Sequence, residues 1–171
     1  METMHDLLTD ELKDLFSAET QLTKALPRLA KNATNPQLKK AFQTHLKETE
    51  EHVRRIERIC AELDIKPRGK KCMGMEGLVE EGKEVMNEAQ AEDVMDAGLI
   101  GAAQKVEHYE ISAYGTARAH AEQLGYRNAA SVLQETLDEE SHANELLTQI
   151  AETMVNPEAA MSGTGNGQRR K

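Results

Sequence analysis

The chain has 171 residues, 39% of them hydrophobic, and a formal net charge of −9 from 21 Lys and Arg against 30 Asp and Glu. That length suits one domain with a sizeable core and is short for two. The acid excess, with no basic stripe, excludes a nucleic-acid or anionic-membrane partner, and no apolar run nears the length that spans a bilayer.

The start, METMHDLLTDEL, is acidic and unlike a signal peptide, so a cytoplasmic protein is expected. Cys60 and Cys72 are too few for a disulfide scaffold and are not spaced as a redox pair. Lys70 and Lys71 precede Cys72 and would favour its thiolate, although a plain exposed or half-buried thiol is the simpler expectation. With five aromatic residues and no Trp, the core must come from Leu, Ala and Met.

The first predicted helix covers residues 6–31, with a seam at Leu8, Leu12, Leu15, Glu19, Leu22, Leu26 and Leu29. Pro27 inside that pattern predicts a kink or a loosened last turn. NATNP (residues 32–36) is a turn, with Asn35 as N-cap and Pro36 at the first helical position. The second helix, 37–63, has the seam Leu38, Phe42, His45, Thr49, His52, Ile56 and Ile59, polar at its centre. Lys39, Lys40, Glu50, Arg54, Arg55 and Arg58 read as its solvated face. A loop follows at 64–72, then a shorter amphipathic helix at 75–89, weakened by Gly77 and Gly82. Roughly 27 residues thus separate the second and third long helices, enough to cross the length of a bundle.

The third long helix, 92–124, stops at Gly125 and carries the stripe Leu99, Ala103, Val106, Glu110, Ala113, Ala117, His120 and Leu124. The fourth, 127–155, has the seam Ala129, Leu133, Thr136, Glu140, Ala143, Leu147, Ile150 and Met154, with Glu139 on an overlapping stripe. From Asn156 the composition turns to that of a disordered tail, 156–171. Glu19 to Thr49 and Glu110 to Glu140 are both 30 residues, so two helical hairpins repeat their polar positions in step. The expected architecture is all-α, a four-helix bundle over residues 1–155 with a long crossover carrying a short fifth helix.

Such a bundle directs Glu19, Glu48, Glu107, Glu110 and Glu140 inward, and no seam supplies a Lys or Arg to neutralise them. Buried carboxylates without compensation are costly, which leaves shared protons, a wet core or bound cations. Oxygen ligands in excess, with one or two imidazoles, suit iron or manganese better than a thiolate-loving metal, and zinc stays open. Two ions bridged by carboxylates would use this many ligands. The alternative is that some of these Glu point out through gaps between helices.

His52, a turn from Glu48, is either a ligand or a hydrogen-bonded core histidine, and His45 is placed to orient a carboxylate. Glu139 and His142 offer E-x-x-H spacing, but His142 falls in the stripe of Glu135, Asp138, Glu145 and Gln149, the solvent face. His120 lies too far along its helix to join the centre. Tyr114, a turn past Glu110, either hydrogen-bonds a ligand carboxylate, supplies an electron, or packs with a satisfied hydroxyl.

SAETQLTKALPRLA around Glu19, HLKETEEH around Glu48, KCMGMEGLVEE in the crossover, AAQKVEHYEISAYGT around Glu107 and Glu110, and AEQLGYRNAASVLQETLDEE ending at Glu140 together resemble the YciF/YciE family of ferritin-like bacterial stress-response proteins, nearest its YciF branch. The resemblance covers nearly all of residues 1–155. It implies a ferritin-like, rubrerythrin-like bundle, a homodimer and a dinuclear metal site. The ferritin-like pattern is met by Glu19, Glu107 and Glu110. It is broken where Thr49 stands for the Glu before His52, with Glu48 as stand-in, and where Ala143 stands for the His after Glu140.

The implied function is a non-haem dimetal oxidoreductase acting on peroxide or dioxygen. Glu110 or Glu140 would bridge the ions, and any reductant would be a separate partner, since no rubredoxin-type cysteine pairs are present. The competing expectation is a stress protein without turnover, a metal binder or dimeric interaction module with a degenerate site.

Overall fold

The computed structural model describes residues 1–162, and six α-helices hold nearly all of them. These are α1 (Met4–Asn32), α2 (Pro36–Glu62), α3 (Met73–Glu88), α4 (Glu92–Gln123), α5 (Arg127–Ile150) and α6 (Asn156–Ser162). A π-helical turn, Ala151–Val155, joins α5 to α6. The hairpins α1–α2 and α4–α5 pack together through α1 against α4 and α2 against α5, and the crossover helix α3 lies on α4 and α1. This is the four-helix bundle with a fifth helix in the crossover. Among the described residues no helix is long and apolar enough to cross a membrane.

Local chemistry sets the helix ends. Thr3 and Asp6 form a reciprocal capping box on α1, each side chain accepting the other's backbone N–H at 3.0 Å. Asn35 Oδ1 accepts from the backbones of Gln37 and Leu38, with Pro36 beginning α2 as expected. Gly125 takes φ of +77° between α4 and α5, a conformation that favours glycine. The helix α1 runs through Pro27 to Asn32, the missing N–H falling on an exposed edge near its last turn. Beyond Asn156, where a tail was expected, the chain forms one more short helix that packs on α4, while positions 163–171 lie outside the described residues.

The core is two apolar clusters stacked along the bundle. One gathers Leu22, Leu26, Leu38, Phe42, Leu99, Val106, Leu147 and Ile150. The other gathers Leu8, Leu12, Leu15, Ile56, Ile59, Tyr114, Ala117 and Leu133. Along α4 the buried stripe drifts after Glu110, passing to Tyr114, Ala117 and Ala121 instead of Ala113, His120 and Leu124. A strict 4,3 spacing averages 3.5 residues per turn, whereas a straight helix turns every 3.6, so the stripe slides round by about 20° per heptad.

Candidate metal centre

Between the two apolar clusters lies a polar layer to which all four long helices contribute. From α1 comes Glu19, from α2 His45, Thr49 and His52, from α4 Glu107 and Glu110, and from α5 Thr136 and Glu140, every one buried. Each occupies a position where the seam would otherwise hold Leu, Ala or Val, so burial of the flanking apolar residues forces these groups inward.

Two sets of donor atoms converge. His45, Glu107, Glu110 and Glu140 each offer one atom within 4.8 Å of the others, and so do Glu19, His52 and Glu140. Glu140 belongs to both sets. Both carboxylate oxygens of Glu110 and of Glu140 lack an aligned hydrogen bond, as do one oxygen each of Glu19 and Glu107, Nε2 of His45, Nδ1 of His52 and Oγ1 of Thr49. Among the described residues, the imidazoles are the only side-chain cations in ion-pair contact with Glu19, Glu107 and Glu140, and Glu110 has none.

The two imidazoles are held in the same way. His52 Nε2 bonds Glu139 Oε2 at 2.8 Å, while its Nδ1 faces Glu140 at 2.9 Å and Glu19 at 3.3 Å. His45 Nδ1 bonds Glu48 Oε2 at 3.2 Å, while its Nε2 faces Glu107 and Glu140, each at 3.5 Å. An ionised carboxylate can only accept, so in each ring the outer nitrogen donates at the rim, and the inner one, protonated as well in the imidazolium, points at the centre. Arg55 completes the outer network, bonding Glu139, Glu135 at 2.6 Å and Thr136 at 3.2 Å. Tyr114 OH donates to Glu19, and its ring meets that of His52 edge-on at 6.2 Å.

Electrostatics follow from crowding acids where water is scarce. Burial, then repulsion from neighbouring carboxylates, raises Glu110 well above the usual carboxylate range, and burial raises Glu107 and Glu19 against the pull of His45 and His52 respectively. Burial would also raise Glu140, but the adjacent His52 and His45 outweigh it and hold it below. Burial disfavours both imidazolium ions, yet the surrounding carboxylates lift His45 to about 10 and His52 to about 11.

Most of the expected site residues meet here, and some do not. Glu19, His52, Glu107, Glu110 and Glu140 converge. Glu48, expected among the ligands, and Glu139 stay at the rim with side chains 37% and 33% exposed, where each holds a histidine instead. His45, expected to orient a carboxylate, is itself one of the convergent donors. His142 is exposed, and His120 bonds Glu11 at 2.8 Å, outside both donor sets.

Arg55, assigned from its charge to the solvated face, is buried at 7% exposure. Its position one turn after His52 on α2 was the available signal, since a long side chain there reaches α5. Cys72 is also corrected. It is buried as the N-cap of α3, bonds Tyr109 OH at 3.0 Å, and burial raises its thiol, while Lys70 and Lys71 pair with Asp10 and Glu76.

Residues 3–160 match a family described as a domain of unknown function, DUF892. Protein YciF of Escherichia coli strain K12 is 48% identical over 160 residues, which span 93% of this chain and 96% of that protein. The crystal structure of the E. coli stress protein YciF aligns with a TM-score of 0.88, covering 91% of this chain and 99% of that one. YcfI from Rhodopseudomonas palustris is 40% identical with a TM-score of 0.84, covering 86% and 94% of the two chains. A Xanthomonas campestris protein, 19% identical with a TM-score of 0.74 over 94% of this chain and 99% of that one, shares the fold alone. Matched over nearly its whole length, the chain belongs to the DUF892 family and is a homologue of the stress protein YciF.

Proposed function

We propose that the protein is a ferritin-like stress-response protein whose core holds two metal ions, iron first and manganese next, and that it reacts there with peroxide or dioxygen. The observation that carries this reading is the state of Glu110, whose two buried carboxylate oxygens have neither an aligned hydrogen bond nor an ion pair among the described residues, beside Glu140, which both imidazoles face. The donor set fits hard divalent cations, being carboxylate oxygens with one imidazole in each group and no thiolate. Zinc would fit the same donors.

His45, Glu107, Glu110 and Glu140 would hold one ion, and Glu19, His52 and the shared Glu140 the other. Bound iron or manganese supplies the redox cycling and Lewis acidity that peroxide or dioxygen chemistry needs. The protein's own groups do the rest. Glu139, gripped by Arg55, and Glu48 keep the outer nitrogens protonated and aim the inner ones. In the metal-free chain both imidazoles are cations, so loading must expel a proton from each. The hydroxyl of Tyr114 steadies Glu19 and is placed to pass a proton or an electron. The apolar clusters on either side keep bulk water out.

A cavity of about 80 Å³ between α2 and α5 reaches His45 and Glu107, walled by Phe42, Ala143 and Leu146. Ala143 stands in its wall where the ferritin-like pattern has the larger His. Its volume is that of about two or three waters, suited to peroxide or dioxygen. Disproportionation of peroxide would need no other partner, whereas reduction would draw electrons from a separate protein. A homodimer is part of the proposal, tested by sedimentation.

The experiment is loading with ferrous or manganous ion, counting metal per chain, and following peroxide consumption with and without metal. About two ions and metal-dependent consumption are expected, both lost in Glu140→Gln. Metal binding without consumption would favour the non-catalytic binder that the departures at Thr49 and Ala143 suggest. Full occupancy in Glu140→Gln would overturn the site.

A further inference from the structure

Away from the carboxylate layer, the crossover helix α3 does not close flat on the bundle. Between α1, α3 and α4 it leaves a cavity of about 270 Å³. Its walls are apolar, with Leu22, Leu29, Val79, Met86, Ala102 and Val106 among them. Small residues of α3 and α4 face each other at its floor. Gly82 is buried, a Cβ there would sit 3.7 Å from that of Ala102, and both residues line the cavity.

The rim is charged, and with one sign only. Lys24, Arg28, Lys71 and Lys83 line it, and no Asp or Glu does so among the described residues, in a chain whose net charge is −9. Lys71 and Lys83 are paired with Glu76 and with Glu80 on α3. Lys24 and Arg28, exposed one turn apart on α1, have no ion-pair partner among the described residues. A greasy interior beneath two free cations calls for a ligand with an apolar body and an anionic head.

From this we infer a binding site for a single-chain fatty carboxylate, its tail in the cavity and its head at Lys24 and Arg28. Size narrows the tail. An apolar cavity of about 150 Å³ takes up benzene, so this one accommodates roughly ten to twelve carbons. A nucleotide is disfavoured because no aromatic ring lines the walls for a base to stack on. A membrane surface is disfavoured because the cations ring a concave opening on an acidic protein instead of forming a flat basic face. The site needs no metal and stands apart from the proposed function.

The test is titration of the full-length, metal-free protein with dodecanoate below its micellar concentration, by calorimetry and by methyl NMR. Saturable one-to-one binding is expected, with the largest shifts at Leu29, Val79 and Met86. Charge reversal by Lys24→Glu with Arg28→Glu should weaken binding at least tenfold, and dodecyltrimethylammonium should bind at least tenfold more weakly than dodecanoate. Both side chains are exposed, and a melting curve checks that the variant folds; Lys24→Gln with Arg28→Gln replaces it if it does not. Equal affinity for the cationic amphiphile, unchanged affinity in the variants, shifts confined elsewhere, or binding only to phosphatidylglycerol vesicles would each overturn the assignment. So would a dimer that the same variants dissociate, since a second copy would then cover the groove.

Discussion

Two buried carboxylates on the same helix make opposite use of burial. Asp96, near the start of α4, is 2% exposed and accepts from Thr34 N at 2.9 Å, Thr34 Oγ1 at 2.7 Å and Asn35 N at 2.7 Å. It ties the α1–α2 turn to the end of the bundle. Glu110, four helical turns on, is fully buried and has no hydrogen bond at either oxygen. A carboxylate whose task is structural finds backbone donors that replace its water. One left without them, among three other acids, could hold a cation that folding alone does not supply.

The largest expected effect of a single substitution is on the structural side of that contrast. Asp96→Ala removes three hydrogen bonds to a charged acceptor and strands two backbone donors, so unfolding by urea should show a loss of about 3 kcal/mol. Metal stoichiometry should be unchanged, and a parallel loss of metal would break the division between the two groups.

Next comes the effect of metal itself. At a hundredfold excess over its dissociation constant, manganous or ferrous ion should raise unfolding free energy by about 2.7 kcal/mol for each ion bound, reversed by chelator. In Glu110→Gln the gain from the ion that Glu110 helps to hold should vanish. The metal-free variant should melt no lower than the parent, because the substitution removes repulsion rather than a bond. A lower melting temperature in metal-free Glu110→Gln would show Glu110 to be structural after all.

A smaller effect is expected from the outer network. Arg55→Gln should weaken metal binding about tenfold, near 1.4 kcal/mol, by freeing Glu139 and with it the ring of His52. Equilibrium dialysis against manganese measures this, and unchanged affinity would make Arg55 a purely structural cation.

The most gradual signature is in pH. Glu19, Glu107 and Glu110 are raised on folding, so their contribution is full below the ordinary carboxylate range and is lost as pH rises through their higher folded values. His45 and His52 act in the same direction, full below about 6.5 and lost by about 10 and 11. Glu140 opposes, as does Glu139 at the rim, their contribution lost only as pH falls below the carboxylate range. Metal-free protein should therefore melt lower from pH 5 to pH 9, by roughly 2–4 °C per kcal/mol lost. Metal competes with those protons, so the stabilisation it adds should grow over the same range. A metal-free melting temperature that rises with pH would contradict the crowding of acids at the centre.

The helices, the turn at Asn35 and Pro36, the glycine stop at Gly125 and the crossover were all legible from residue spacing, because each depends on neighbours within a few positions. So was the presence of acids in four apolar seams. Less legible were the partners of each acid. Glu48 and His45 lie three residues apart, close enough on a helix surface that either reads as inward, yet only the imidazole enters the donor sets. Asp96 carried no signal, since its donors come from a turn about sixty residues earlier. Arg55 was misread because charge alone suggested solvent, whereas its guanidinium reaches the carboxylates of α5.

What the sequence determined by itself is which side of each helix is apolar and that this side is interrupted at one height by acids and imidazoles. Those are properties of a single helix, set by a period of 3.6 residues and the cost of exposing Leu and Ile. What only the tertiary structure decided is which interrupting groups meet, which hold others in place, and which stay at the surface. That depends on how the four helices rotate and slide against one another, and a shift of one residue turns a side chain by about 100°, from the centre of the bundle to its rim.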